Sequence, residues 1–82
     1  MDIYAANLPY DLDERSLLDL FARQGEVKMV KLILDSNTGR FKGYAFITMN
    51  CDKQAKAAIS ALNGTQIGGR KINVTPAQDQ KN

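Results

Sequence analysis

An α+β fold, with one four-stranded antiparallel sheet and two helices stacked on a single face of it, is what three features of this 82-residue chain predict. Apolar periodicity switches between the strand and helix repeats in the order strand–helix–strand–strand–helix–strand. Each helical stretch lies between two strands, as a crossover connection requires. The octapeptide Lys42-Gly43-Tyr44-Ala45-Phe46-Ile47-Thr48-Met49 separates into two chemically distinct faces. Alternate strand side chains point opposite ways, so Gly43, Ala45, Ile47 and Met49 share a small, apolar face that suits packing under helices. Lys42, Tyr44, Phe46 and Thr48 share the other, and a cation with two rings is an odd choice for plain solvent.

The elements follow in order. Ile3 to Leu8 reads as a short strand, ended by Asn7 and the Leu8-Pro9-Tyr10 turn. Asp13 is a good helix N-cap, with Leu12 and Leu17 at the spacing of a hydrophobic staple. Leu17, Leu20 and Phe21 form one apolar stripe, and Gly25 is expected to close the helix. Val27 to Leu34 is a second strand, with Val30, Leu32 and Leu34 toward the core and Lys31 and Ile33 opposite. Asp35-Ser36-Asn37-Thr38-Gly39 is a turn, so residues 27–49 form a hairpin whose return strand is the octapeptide. Ala55, Ala58, Ile59 and Leu62 mark a second helix, capped within Asn50-Cys51-Asp52 and ended by Asn63-Gly64. Arg70 to Thr75 is a last strand, with Ile72 and Val74 inward and Lys71, Asn73 and Thr75 outward. Pro76 is expected to stop the ladder there. The domain is expected over residues 1–77, with 78–82 a short polar tail.

This order is the split βαβ arrangement of the ferredoxin-like class. Right-handed crossovers put both helices on the same face of the sheet, which leaves the other without a cover. Tyr4 lies on a central strand beside the octapeptide and points to that open face. Three rings, Tyr4, Tyr44 and Phe46, therefore converge on one surface beside Lys42. Rings and a cation on a flat surface are the ingredients for stacking bases while meeting a phosphate.

Composition narrows the alternatives. A chain of 82 residues that is 44% hydrophobic and 24% charged suits one soluble domain. No apolar run reaches the length of a membrane span, and no signal peptide is visible at Met1-Asp2-Ile3-Tyr4. Cys51 is the one cysteine and histidine is absent, which excludes an internal disulfide and a Cys/His zinc site. No metal or other cofactor is expected, and Cys51 reads as an inert thiol in a reducing cytosol. An enzyme is not expected either, since Gly68-Gly69 is too short to cradle a phosphate. Charge is uneven: residues 1–26 hold two cations against six carboxylates, a net −4, and residues 27–82 hold nine against three, a net +6. One side is thus friendly to anions without making the whole chain a sticky polycation. Lys53 and Lys56, on the second helix, read as solvated.

Over roughly residues 2–77 the chain resembles the RNA-recognition motif family. The family octamer, K/R-G-F/Y-G/A-F-V-x-F/Y, is matched by Lys42-Gly43-Tyr44-Ala45-Phe46-Ile47-Thr48-Met49. The family hexamer on the first strand is matched by Ile3-Tyr4-Ala5-Ala6-Asn7-Leu8. Met49 departs from the usual Phe or Tyr, but its parity turns it into the core, where methionine is tolerated. Ala5 is smaller than the usual Val or Ile and is expected to loosen packing only. A single motif with a short tail is similar to the small one-domain RNA-binding proteins of bacteria, cyanobacteria included.

The resemblance implies a role for each open-face residue. Tyr4 would stack under one base and Phe46 under the next, with Tyr44 against the sugars between them. Lys42 would meet phosphate, assisted by Arg40 in the hairpin loop. Lys31, Ile33, Lys71, Asn73, Thr75 and Gln78 would read base edges of single-stranded RNA. Single-stranded DNA would share the stacking, which is indifferent to the 2′-hydroxyl. The expected state is a cytoplasmic monomer with no membrane contact. The competing expectation is a protein-interaction domain on the same fold, for which Leu18, partly exposed on the first helix, is the candidate.

Overall fold

The computed structural model describes residues 1–77. In chain order its elements are β1 (Asp2–Ala6), α1 (Glu14–Ala22), β2 (Val27–Leu34), β3 (Phe41–Met49), α2 (Asp52–Leu62), β4 (Gln66–Ile67), β5 (Arg70–Lys71) and β6 (Asn73–Pro76). Four of the strands make one antiparallel sheet in the order β2-β3-β1-β6, and β4 pairs with β5 in a separate small hairpin.

The core lies between the sheet and the helices. Ile3, Ala5, Ala45, Ile47, Met49 and Val74 meet Leu17 and Phe21 of α1 and Ala55, Ala58 and Leu62 of α2, all of them buried. No polar or charged residue is buried among the described residues, so the core is apolar throughout. Small residues bring the layers close: Ala5 pairs with Ala45 at the centre of the sheet, and α2 presents Ala55 and Ala58. Met49 is fully buried, as its parity requires.

Local chemistry sets the ends of the elements. Ser16 N–H donates to Asp13 Oδ1 at 2.9 Å, which makes Asp13 the N-cap of α1. That bond holds the Asp13 carboxyl below its ordinary range. Leu12 packs on the core and Leu17 lies within it, consistent with the staple. The β2–β3 turn is built on Asp35, whose Oδ1 accepts from the N–H groups of Asn37 at 2.8 Å and Thr38 at 3.1 Å. These donors likewise lower the Asp35 pKa. The N-cap of α2 is Cys51, which makes no capping bond through its side chain. Instead the amino group of Met1 lies 3.5 Å from the Asp52 carboxylate in the first turn of α2.

Several boundaries differ from the sequence expectation. β1 stops at Ala6 and not at Leu8, because Asn7 takes a left-handed conformation, φ 58°. Leu34 was expected in the core but is 51% exposed. It occupies the last pair before the turn, opposite Phe41 and beyond a register shift, so the apolar layer ends at Leu32. The last strand is not continuous. Arg70 and Lys71 pair with Gln66 and Ile67 around Gly68-Gly69, both at positive φ, and only Asn73 onward joins the sheet. Pro76 does not stop the ladder: it pairs with Ile3, and Ala77 N–H still donates to Asp2 O at 2.9 Å. Proline is tolerated because β6 is an edge strand.

Gly25 has a different role from the helix stop expected of it. Its φ is not positive, but a Cβ there would collide with the side chain of Gln54 on α2, whose Oε1 accepts from Glu26 N–H at 3.0 Å. Even Gln54 Cβ would lie 2.6 Å away, so the clash cannot be relieved at the tip of the side chain alone. Gly25→Ala is therefore expected to destabilise the domain by about 1–3 kcal/mol, measured by denaturant unfolding. Asp13→Ala should also lower stability, with a definite pH dependence. A carboxyl depressed by folding stabilises above its unfolded pKa, near 3.8, and that contribution is lost as pH falls through the lower folded value. The difference in Tm between the native protein and Asp13→Ala should thus be full at neutral pH and shrink below about pH 4.

Candidate nucleic-acid interface

Strand register arranges the open face in rows. Across the middle, Lys31 stands opposite Phe46, Phe46 opposite Tyr4, and Tyr4 opposite Thr75. Toward one end Met29 and Asp2 flank Thr48, and toward the other Asn73 pairs with Ala6. Every octapeptide residue on the helix side is buried, from Gly43 to Met49, while Tyr44, Phe46 and Thr48 are half-buried and Lys42 is exposed. The alternation expected of this strand holds along its whole length.

Tyr4 is the hub of the rings. Its centroid lies 5.9 Å from that of Tyr44 at 54°, and 5.4 Å from that of Phe46 at 43°. These are tilted aromatic contacts, with no ring stacked flat on another. All three rings are half-buried. No helix lies over them: the side chains that α1 and α2 bury are on the opposite side of the sheet.

The backbone of β3 bends where the platform begins. Pairing shifts between Leu32↔Ala45 and Leu34↔Phe41, and Gly43 sits at φ 95°. A Cβ on Gly43 would lie 3.1 Å from Tyr10 Cε1. The octapeptide glycine thus serves the back of the sheet, letting the chain after β1 pass close by, while its neighbours Lys42 and Tyr44 serve the front. Leu8 N–H donates to Gly43 O at 2.9 Å and fixes that approach.

The flanking residues divide. Lys31, Asn73 and Thr75 are exposed on strands of the sheet, and Ile33 is half-buried on β2 at the register shift. Arg40 is exposed at the hairpin end, where it lines an open cleft of about 630 Å³ with Tyr10, Asp11 and Phe41. Lys71 differs from expectation. It belongs to the β4–β5 hairpin, and its backbone carbonyl accepts from Asn7 Nδ2 at 2.9 Å, so it stands beside the platform rather than on it. Gln78 lies outside the described residues.

One group escaped the sequence reading. Tyr10, taken there as a turn residue, is 65% exposed, with the Arg70 guanidinium 5.3 Å from its ring centroid. Arg70 also donates to Asn7 Oδ1 at 2.8 Å. Sixty residues separate Tyr10 from Arg70, and no local pattern announces their meeting. The Gly68-Gly69 pair between short polar segments was the available signal, as a two-residue hairpin turn.

The fold and the face together define a one-sided α+β sandwich with an exposed aromatic sheet. The RNA recognition motif profile matches residues 3–73, and the chain belongs to this family. It is a family of binding modules, not of enzymes. The chain is 42% identical over 82 residues to the Synechocystis sp. protein named "Putative RNA-binding protein RbpA", covering all of this chain and 81% of that one. Among solved structures, RNA Binding Protein PG1 superposes with a TM-score of 0.93 at 34% identity, covering 100% of this chain and 99% of that one. The Rna15 RRM with bound RNA (GU) superposes at 0.86 with 35% identity, covering 98% of this chain and 85% of that one.

Proposed function

We propose that the protein is a single-stranded RNA-binding module acting in post-transcriptional regulation. Tyr4 and Phe46 each support a base, Tyr44 lies against the intervening sugars, and Lys42 and Arg40 meet phosphates. Lys31, Ile33, Asn73 and Thr75 flank the stacked bases along the outer strands and read their edges; Lys71 does so from the side, and by the family resemblance Gln78 shares this role. The observation that carries this reading is the Tyr4–Phe46 pair, 5.4 Å apart and tilted, on a sheet face that neither helix covers. Family membership and the RNA-bound relative support the same assignment. Single-stranded DNA engages the same rings with less discrimination at the sugars. The platform is complete within one chain, which fits a monomer. An exposed free Cys51 fits the reducing cytoplasm, and no helix of the described residues is long and apolar enough to cross a membrane.

Two stacks with a few phosphate contacts supply about 5–8 kcal/mol, a Kd of roughly 10⁻⁴ to 10⁻⁶ M. Tyr4→Ala and Phe46→Ala should each weaken binding to a short single-stranded RNA by about 1–3 kcal/mol by fluorescence anisotropy, with unfolding curves still cooperative. Unchanged affinity in both variants would remove the stacking mechanism. With Arg40 and Lys42 making the phosphate contacts, log K should fall with log salt at a slope near −1.4, about −0.7 per contact. A slope steeper than about −4 would move the binding surface to a larger basic region.

A further inference from the structure

Among strand residues on the open face, one is a carboxylate. Asp2 opens β1 and stands opposite Thr48 of β3. Thr48 Oγ1–H donates to Asp2 Oδ1 at 2.8 Å. Asp2 is exposed and has no ion pair among the described residues. It precedes Tyr4 by two positions, so the two side chains share a face about 7 Å apart along the strand. The row of Asp2 and Thr48 is therefore adjacent to the row of Tyr4 and Phe46. A base lying on either ring can turn an edge toward the carboxylate.

The chemistry of that edge is restrictive. An ionised carboxylate only accepts hydrogen bonds, through about four lone-pair sites on two oxygens. Thr48 occupies one of these and fixes the orientation of the group, leaving Oδ2 and the remaining capacity of Oδ1. Guanine offers two adjacent donors, N1–H and the N2 amino group, on its Watson–Crick edge. Adenine and cytosine each set a ring-nitrogen lone pair beside their amino group, and uracil flanks its N3–H with two carbonyls. Each of those three would turn an acceptor toward the negative charge. The same charge repels phosphates and directs the RNA backbone toward Lys31 and Lys42.

We infer that Asp2, positioned by Thr48, selects guanine for the stacking position next to it. The inference rests on the stacking reading and deepens it. The test measures affinities of the full chain for five-nucleotide uracil RNAs in which the central base is G, A, C or U. The native protein should bind the guanine RNA about tenfold more tightly than the others. Asp2→Asn, which replaces half of the acceptor edge by a donor, should bring the four within about twofold of one another. Thr48→Val, which frees the carboxylate to reorient, should reduce the guanine preference. A native protein without guanine preference, or an Asp2→Asn variant that keeps it, overturns the inference. So does an Asp2→Asn variant that binds all four RNAs more tightly by an equal factor, since the carboxylate would then act as a repulsive charge alone. Tyr4→Ala and Phe46→Ala report separately on the platform: if both leave all four affinities intact, the stacking reading fails rather than the role of Asp2.

Discussion

The packing of both helices against one side of a four-stranded sheet is the constraint on which the rest of this protein depends. Once Gly43, Ala45, Ile47 and Met49 are buried beneath α1 and α2, strand geometry leaves Lys42, Tyr44, Phe46 and Thr48 no choice but to face outward. Antiparallel pairing extends the effect to the neighbours: Ile3 and Ala5 turn in beside Ile47 and Ala45, and Tyr4 is carried out beside Phe46. The apolar energy of the core thus positions the rings without any contact dedicated to doing so. A one-residue slip of β1 would bury Tyr4 and expose Ile3 and Ala5, so the register of the platform is protected by the core itself.

The end of the sheet where β1 gives way to a loop is held by polar means. Asn7 turns left-handed, donates to Lys71 O and accepts from Arg70, whose guanidinium lies over Tyr10. Tyr10 in turn comes close behind Gly43. Similar ties hold the far edge. Asn63, just past α2, accepts from Val74 N–H at 2.9 Å, so the helix end anchors the edge strand β6. These side chains fix the two outer limits of a face whose centre needs no such support.

Much of this was legible in the sequence because period-two alternation is an unambiguous signal in a nine-residue strand such as β3. The three rings, Lys31 and Thr75 all fall where their parity puts them. Where periodicity is short, the reading fails: the two residues of β4 and the two of β5 carry no repeat, so β4 goes unread and the last strand is drawn through β5, Lys71 with it. The contacts of Tyr10 with Arg70, and of Gly25 with Gln54, arise only when distant segments meet, and glycine at position 25 looked like a helix stop because size and conformational freedom leave the same letter. Asp2 escaped notice for a simpler reason. The apolar pattern begins at Ile3, and an acidic residue one position earlier reads as solvent until its partner Thr48 is seen across the ladder.

Charge and stacking divide the work of recognition unequally. The net charge is only +2, and the cations nearest the rings are a few dispersed side chains rather than a groove. Counterion release therefore contributes little, and a duplex, which hides its base faces, gains almost nothing from the platform. On the proposed reading, unpaired nucleotides gain the most because stacking on Tyr4 and Phe46 needs a free face. Stacking is nearly blind to base identity, so discrimination has to come from polar groups at the margins of the rings. On this face those groups are few and chemically different: ammonium at Lys31, amide at Asn73, hydroxyl at Thr75, carboxylate at Asp2. On the proposed reading, such an arrangement separates affinity, supplied by the rings, from selectivity, supplied by the margins. Changes at the margins can then alter which RNA is chosen without disturbing the core that holds the rings in place.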